Sequence, residues 1–230
     1  MKKCTKAIIA VIVGAAILIG AIWLINESRY PNVPAFDDHF TRKFLNKDKK
    51  IGDGFYEFKS KTGQYTMWFP EEYQVLHENR EDYAVNNDSY ESWWAVYNEE
   101  VEGKTQENYI KTEFLTSNPA DESIHVEALF KRRFGLSVPN KIENSQTRIY
   151  YQSAYIYFKG TEKRVIVDKK KHIPNTYLAY VADKHSNKIV QISFDSSDKY
   201  KSGDEDKRQE WFLKMLKNIH FDEGEIVENL

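Results

Sequence analysis

The chain has 230 residues, 33 of them basic and 35 acidic, with 41% apolar side chains, 14% aromatic ones and a single cysteine. That length allows one domain with its own core. The charge balance excludes the strongly basic surface of a nucleic-acid-binding protein, and one cysteine excludes an internal disulfide framework.

In chain order, the first feature is the stretch from Ala7 to Ile25, which contains no charge and no proline. At 1.5 Å per residue it spans about 28 Å, close to the ~30 Å hydrocarbon core of a bilayer. Lys2, Lys3 and Lys6 precede it, whereas Glu27 and Arg29 follow it and nearly cancel. Basic residues stay on the cytoplasmic side, so the pattern predicts a single transmembrane helix over 7–25. Residues 1–6 are then cytoplasmic and the body extracytoplasmic. A cleaved secretory signal is the alternative, but its apolar core is about 7–15 residues long and ends at a small-x-small site. Gly14-Ala15-Ala16 lies in mid-span, and Ile19 stands two positions before Ala21, so neither supplies that site. Ala10 with Gly14, and Ala16 with Gly20, have the spacing that lets membrane helices approach closely, although a lone span accommodates them equally. Cys4 precedes the apolar run, where a lipoprotein cysteine would follow it. It reads as a cytoplasmic thiol, with reversible palmitoylation the alternative.

Removing Lys2, Lys3 and Lys6 from the 33 basic residues leaves 30 against 35 acidic ones in the body, a net of −5. Residues 26–34, with Pro31 and Pro34, read as a short extended tether, 35–221 as one domain and 222–230 as an acidic tail. Phe36, Phe40 and Phe44 recur at four-residue spacing after Pro34, which predicts a short helix packed on the core; a membrane-surface face is the alternative. Residues 55–59 and 64–69 predict a hairpin around Lys61-Thr62-Gly63, ended by Pro70. Strands are expected at 91–97 and 108–115. Asn118 as cap, Pro119 at the first position and acidic Asp121 and Glu122 then start a helix. It buries Val126, Leu129, Phe130 and Phe134 and ends at Gly135. Residues 148–159, 163–168, 176–183 and 188–195 predict a four-stranded antiparallel meander. A last helix from about 204–206 buries Trp211, Phe212, Met215, Leu216 and Ile219. The fold class is therefore α+β: an antiparallel β-sheet packed with helices, preceded by a single transmembrane helix.

Gly63-Gln64-Tyr65-Thr66-Met67-Trp68-Phe69-Pro70-Glu71-Glu72-Tyr73 resembles the opening strand and FP-x-x-aromatic turn of Mog1/PsbP-like domains. Residues 189–194 and 211–219 are similar to their closing strand and last helix. The resemblance implies an antiparallel sheet between helices and an accessory or binding role, with no shared catalytic residues to carry over.

Chemistry is sparse. His39, His77, His125, His172, His185 and His220 show no paired metal-ligand spacing, and adjacent Asp37-Asp38-His39 would point in different directions on a helix. No nucleophile elbow, phosphate loop or zinc motif occurs. Neither a catalytic set, a metal site nor a cofactor is expected. Trp93 and Trp94 are adjacent and must point to opposite faces of a strand. Alternation gathers Tyr151, Tyr155 and Tyr157 on one side of their strand, against Tyr150, Ala154, Ile156 and Phe158 on the other. These three tyrosines are the candidate face for a glycan or peptide, unless helices cover both faces and make every ring core. Lys169-Lys170-Lys171-His172 could meet anionic polymers or headgroups, but reads first as a solvated turn. The expected partners are the membrane, through the anchor, and an envelope protein or wall polymer. The preferred function is a non-enzymatic, membrane-anchored binding module of the cell envelope; the alternative is an envelope hydrolase with dispersed catalytic residues.

Overall fold

The computed structural model describes residues 2–52, 54–101, 103–168, 172–196 and 205–222, without the side chains of 2–11, 23, 26, 101, 205 and 206. Lys169, Lys170 and Lys171 and the tail beyond Asp222 lie outside the described residues. Helix α1, Lys2–Glu27, opens the chain. Among the described residues no helix is long and apolar enough to cross a membrane. In α1 the described side chains begin at Ile12, five residues past the start of the uncharged run. From there Ile12, Val13, Ile17, Leu18, Ile19, Ile22, Leu24 and Ile25 are 51–68% exposed. At about 100° per residue, these eight positions surround the helix rather than forming one stripe.

The expected helix through Phe36, Phe40 and Phe44 is broken into α2, Pro34–Asp37, and a 3-10 turn, Thr41–Lys43. Asp38 explains the break. Its carboxylate accepts the Thr41 amide at 2.7 Å and the Thr41 hydroxyl at 2.5 Å. Such a local side-chain bond competes with a continued helix. Phe36 is buried, and Phe40 and Phe44 pack against the same core.

Strands β1 (Leu45–Lys50), β2 (Phe55–Lys59), β3 (Tyr65–Pro70), β4 (Gln74–Val75) and β5 (Tyr83–Asn86) follow. The long β6 (Tyr90–Val101) and β7 (Lys104–Thr116) extend beyond the expected strands at both ends and pair along their whole length. Helix α3, Glu122–Phe134, comes next, then β8 (Asn140–Glu143), β9 (Thr147–Lys159), β10 (Glu162–Ile166), β11 (Thr176–Asp183) and β12 (Lys188–Ser196). Helix α4, Glu205–Lys217, and β13 (His220–Phe221) close the fold. Among the described residues every strand pairing is antiparallel. A small sheet runs β1-β2-β3-β13 and a large one β10-β9-β11-β12-β7-β6-β4, with β5 beside β6 and β8 beside β9.

The predicted four-strand meander is corrected in one respect: β11 pairs with β9, not with β10, which is left at the sheet edge. The burial explains the order. Six of the seven residues from Tyr177 to Asp183 are buried on alternating faces, which demands neighbours on both sides. Glu162, Lys163 and Arg164 of β10 are exposed and charged, as suits a protected edge.

The large sheet separates two cores. On one face the small sheet, α2 and α4 enclose Phe58, Tyr65, Phe69, Trp93, Phe114, Tyr177, Phe212 and Leu216. Trp93 is fully buried and its Nε1–H donates to the Tyr65 hydroxyl at 3.0 Å. Trp94 points to the opposite face, half-buried, with its ring edge-on to Tyr109. On that other face α3 lays Val126, Phe130 and Phe134 over Ala154, Leu178, Tyr180 and Ile189. The expected start of α3 is corrected: the Asn118 side chain accepts from the Ala120 amide and so caps a 3-10 turn, Pro119–Asp121, which leads into α3 at Glu122. Gly135 ends α3 at φ 73°, a left-handed conformation that costs glycine nothing. The Glu122 carboxylate binds Arg148 through two oxygens, at 2.8 and 2.5 Å, and also accepts the Tyr150 hydroxyl.

Candidate functional site

The predicted tyrosines fall along one strand face but in three environments. Tyr151 is half-buried and packs against the main core. Tyr155 is also half-buried; its ring stacks on His172 at 4.7 Å and meets Tyr157 at 5.7 Å. Tyr157 is 39% exposed. The strand therefore leaves the core as it runs toward its hairpin, and only its far end offers rings to solvent.

An open aromatic concavity lies elsewhere, at the end of the main core. It measures about 330 Å³ and is lined by Tyr73, Tyr97, Phe194 and Trp211, with Glu72, Glu99, Lys207 and Arg208 around it. The turn after β3 supplies Glu72 and Tyr73, because Pro70 ends the ladder there and the Tyr73 amide bonds back to the Pro70 carbonyl at 3.2 Å. Strand β6 supplies Tyr97 and Glu99, β12 supplies Phe194, and the first turns of α4 supply Lys207, Arg208 and Trp211. The rings form a continuous aromatic wall. Tyr73 lies 5.7 Å from Tyr97 and 5.9 Å from Trp211, and Trp211 lies edge-on to Phe194 at 5.3 Å. The Arg208 guanidinium sits 5.8 Å over Phe194.

Electrostatics follow from this wall. Burial pushes the Tyr73 phenol well up, with the Glu72 carboxylate acting in the same direction, so it remains a neutral donor. Glu72 is exposed as a residue, yet its carboxyl is partly stripped of water at the rim. That desolvation, with Glu71 close by, raises it above the ordinary carboxylate range. The recess thus combines flat apolar faces, neutral hydroxyls and mixed charge at the rim. Those are properties for holding a planar or ring-shaped group in orientation.

Among the described residues no group of three His, Asp or Glu side chains is arranged to hold a metal ion. Of Asp37-Asp38-His39, the Asp38 carboxylate is occupied by Thr41, and His39 Nδ1 lies 2.7 Å from Arg42. A second concavity, of about 380 Å³, runs beside the end of α3 and is lined by Lys111, Arg132, Arg133 and Lys163. Its cations are largely engaged: Arg133 with Asp195, Lys111 with Glu113, and Lys163 with the Arg132 and Arg133 carbonyls.

Sequence reasoning reached one residue of the aromatic recess through a motif, Tyr73 in the FP-x-x-aromatic turn. It carried Glu72 in that motif without a role, assigned Trp211 to the core and gave no role to Tyr97, Glu99 and Phe194. The signal for those last three is tertiary only, because β6, β12 and α4 are brought together by the fold.

An antiparallel sheet covered by helices on both faces is the architecture of the Mog1/PsbP-like class of α+β domain. The chain belongs to the family described as "Putative lipoprotein YvcA", a YvcA and Mog1p grouping whose profile it matches over residues 31–220. The resemblance carried by residues 63–73, 189–194 and 211–219 is therefore shown. No curated protein matches the chain.

Proposed function

We propose that this chain is a membrane-anchored extracytoplasmic module of the cell envelope that binds its ligand in the aromatic recess. The observation that carries the anchor is α1, a 26-residue helix whose described large apolar side chains are exposed all around it. A helix apolar on every side finds a matching solvent in hydrocarbon, and the uncharged run 7–25 has the length to cross it. The lysines at 2, 3 and 6 favour a cytoplasmic amino terminus, with 26–34 as the connection, 35–221 as the exported body and 222–230 as its tail. The family's description names a lipoprotein. In this chain the sole cysteine, Cys4, stands before the apolar run, so a protein span takes the place of a lipid. Protease added to intact cells should digest the body and leave the amino-terminal end protected; a body resistant until lysis would reverse the topology.

The ligand class is a sugar ring or peptide unit of the envelope, for which the aromatic wall supplies stacking and the rim supplies hydrogen bonds. Tyr155 and Tyr157 offer a second, shallower contact of the same kind. Titrating soluble wall fragments into the full chain in micelles should shift tryptophan emission, and Trp211→Leu should abolish the shift. If the fragments are instead cleaved, releasing new reducing ends, the hydrolase reading prevails, with Glu72 and Glu99 as the carboxylates to replace first.

A further inference from the structure

Another cavity, of about 380 Å³, opens between the turn at residues 40–44 and the β2–β3 hairpin. Phe40, Phe44 and Tyr83 wall it, and Lys43, Lys59 and Lys61 stand around it, with no carboxylate among the lining residues. The three rings contact one another pairwise at 5.1–5.4 Å, which makes the wall continuous and apolar. The nearest buried carboxylate, Glu91, is already committed. It accepts the Lys61 and Thr62 amides, the Thr62 hydroxyl and the Tyr83 hydroxyl. Its charge is met from within the fold, and it holds the Tyr83 hydroxyl in a hydrogen bond at 3.1 Å. What remains is an aromatic wall with three lysines among the lining residues, the Lys43 ammonium 5.5 Å over the Phe40 ring, which suits a phosphate joined to an aliphatic body.

The position of the cavity is as informative as its lining. Arg42 binds both oxygens of Glu27, at 2.8 and 2.9 Å, and its guanidinium lies 4.3 Å over the Tyr30 ring. Glu27 is two residues beyond Ile25, about 3 Å further along the helix axis. If Ile25 marks the edge of the hydrocarbon, Glu27 and Arg42 lie within the headgroup layer, which is about 5–8 Å deep. Lys43 follows Arg42 directly, and Phe40 and Phe44 are two residues away, within about 7.6 Å along the chain.

We propose that this cavity binds the phosphate headgroup of an anionic lipid in the leaflet from which α1 emerges. The inference rests on α1 spanning the membrane. Its test reconstitutes the full chain in nanodiscs of phosphatidylcholine, with or without phosphatidylglycerol, and follows acylation of each lysine by mass spectrometry. In the anionic discs Lys43, Lys59 and Lys61 should react about fivefold more slowly, as close pairing of each with an anionic headgroup implies. Lys104 and Lys131, which do not line the cavity, should be unchanged. Lys47, which lies 5.4 Å from the Tyr30 ring but outside the cavity, reports diffuse attraction to the surface. The double variant Lys59→Gln/Lys61→Gln, at two exposed positions, should abolish the protection of Lys43. Equal slowing at Lys47 and the cavity lysines, or no slowing at all, would overturn the site while leaving the anchor intact. Protection by free glycerol phosphate but not by anionic discs would overturn the lipid assignment in favour of a soluble phosphate. A chain that fails to enter nanodiscs would overturn the anchor and the lipid source with it.

Discussion

Tyr155 and Tyr157 show how far burial decides the meaning of an aromatic side chain. Alternation puts them on the face of Tyr151, as expected, but β9 runs past the edge of the main core, so the three rings are buried to different degrees. Replacing both Tyr155 and Tyr157 with serine should cost about 1–2 kcal/mol in total, for the lost stacking on His172 and the partial burial of Tyr155. Tyr180, 1% exposed under α3, should cost about 3 kcal/mol or more by the same change. Denaturant titrations of the full chain in micelles separate these outcomes. A loss above about 3 kcal/mol per ring for the pair would make them core residues and remove them from any binding face.

Helix α3 was legible in its stripe and at its end, because those signals are local, but not at its start. Asn118 and Pro119 open a 3-10 turn, Pro119–Asp121, and α3 itself begins at Glu122 behind Asp121, which makes no side-chain cap. Glu122 in the first turn, the apolar stripe and Gly135 each act within a turn of their own position. The order of β9, β10 and β11 was not. A short connection specifies antiparallel neighbours for one hairpin, but which strand occupies the sheet interior depends on burial of both faces, a tertiary property. One tie between α3 and the sheet is testable. Burial would raise the Glu122 carboxyl, but the Arg148 guanidinium and Tyr150 hydroxyl outweigh it and hold the group below its usual range. A carboxyl lowered in the folded state stabilises the fold above its unfolded pKa, and that contribution is lost as pH falls through the folded value. Glu122→Gln should therefore lower stability by about 1 kcal/mol at pH 7, a figure discounted for the partial exposure of the pair. The gap between variant and wild type should close as the medium is acidified below the ordinary carboxylate range. A gap that persists unchanged at acid pH would mean that the glutamate contributes packing or a neutral hydrogen bond, and not its charge.

At the scale of the whole molecule, both concavities that carry the functional argument are assembled across distant segments. The recess joins residues 72–73, 97–99, 194 and 207–211, and no periodicity in one segment could announce the others. The other unites the turn at 40–44 with the β2–β3 hairpin and Tyr83, and sits beside the contact that fixes the body to α1. The sequence suggested an extended tether over 26–34, yet Tyr30 and Val33 pack against the main core, and Glu27 is held by Arg42. That contact should set the tilt of the body relative to the helix. Its hydrogen bond to Arg42, helped by the charge of the guanidinium, pulls the Glu27 carboxyl below its ordinary value despite opposing desolvation. The pair is therefore intact at neutral pH and is lost as pH falls through the lowered folded pKa. Spin labels at residues 18 and 131 should give a narrow distance distribution in nanodiscs at pH 7. Arg42→Ala should broaden it, and so should strong acid in the wild type, while the melting temperature of the body stays unchanged. A distribution equally narrow in Arg42→Ala would place the coupling in Tyr30 and Val33 alone. If the body melts earlier, the pair belongs to its folding and not to its orientation relative to α1.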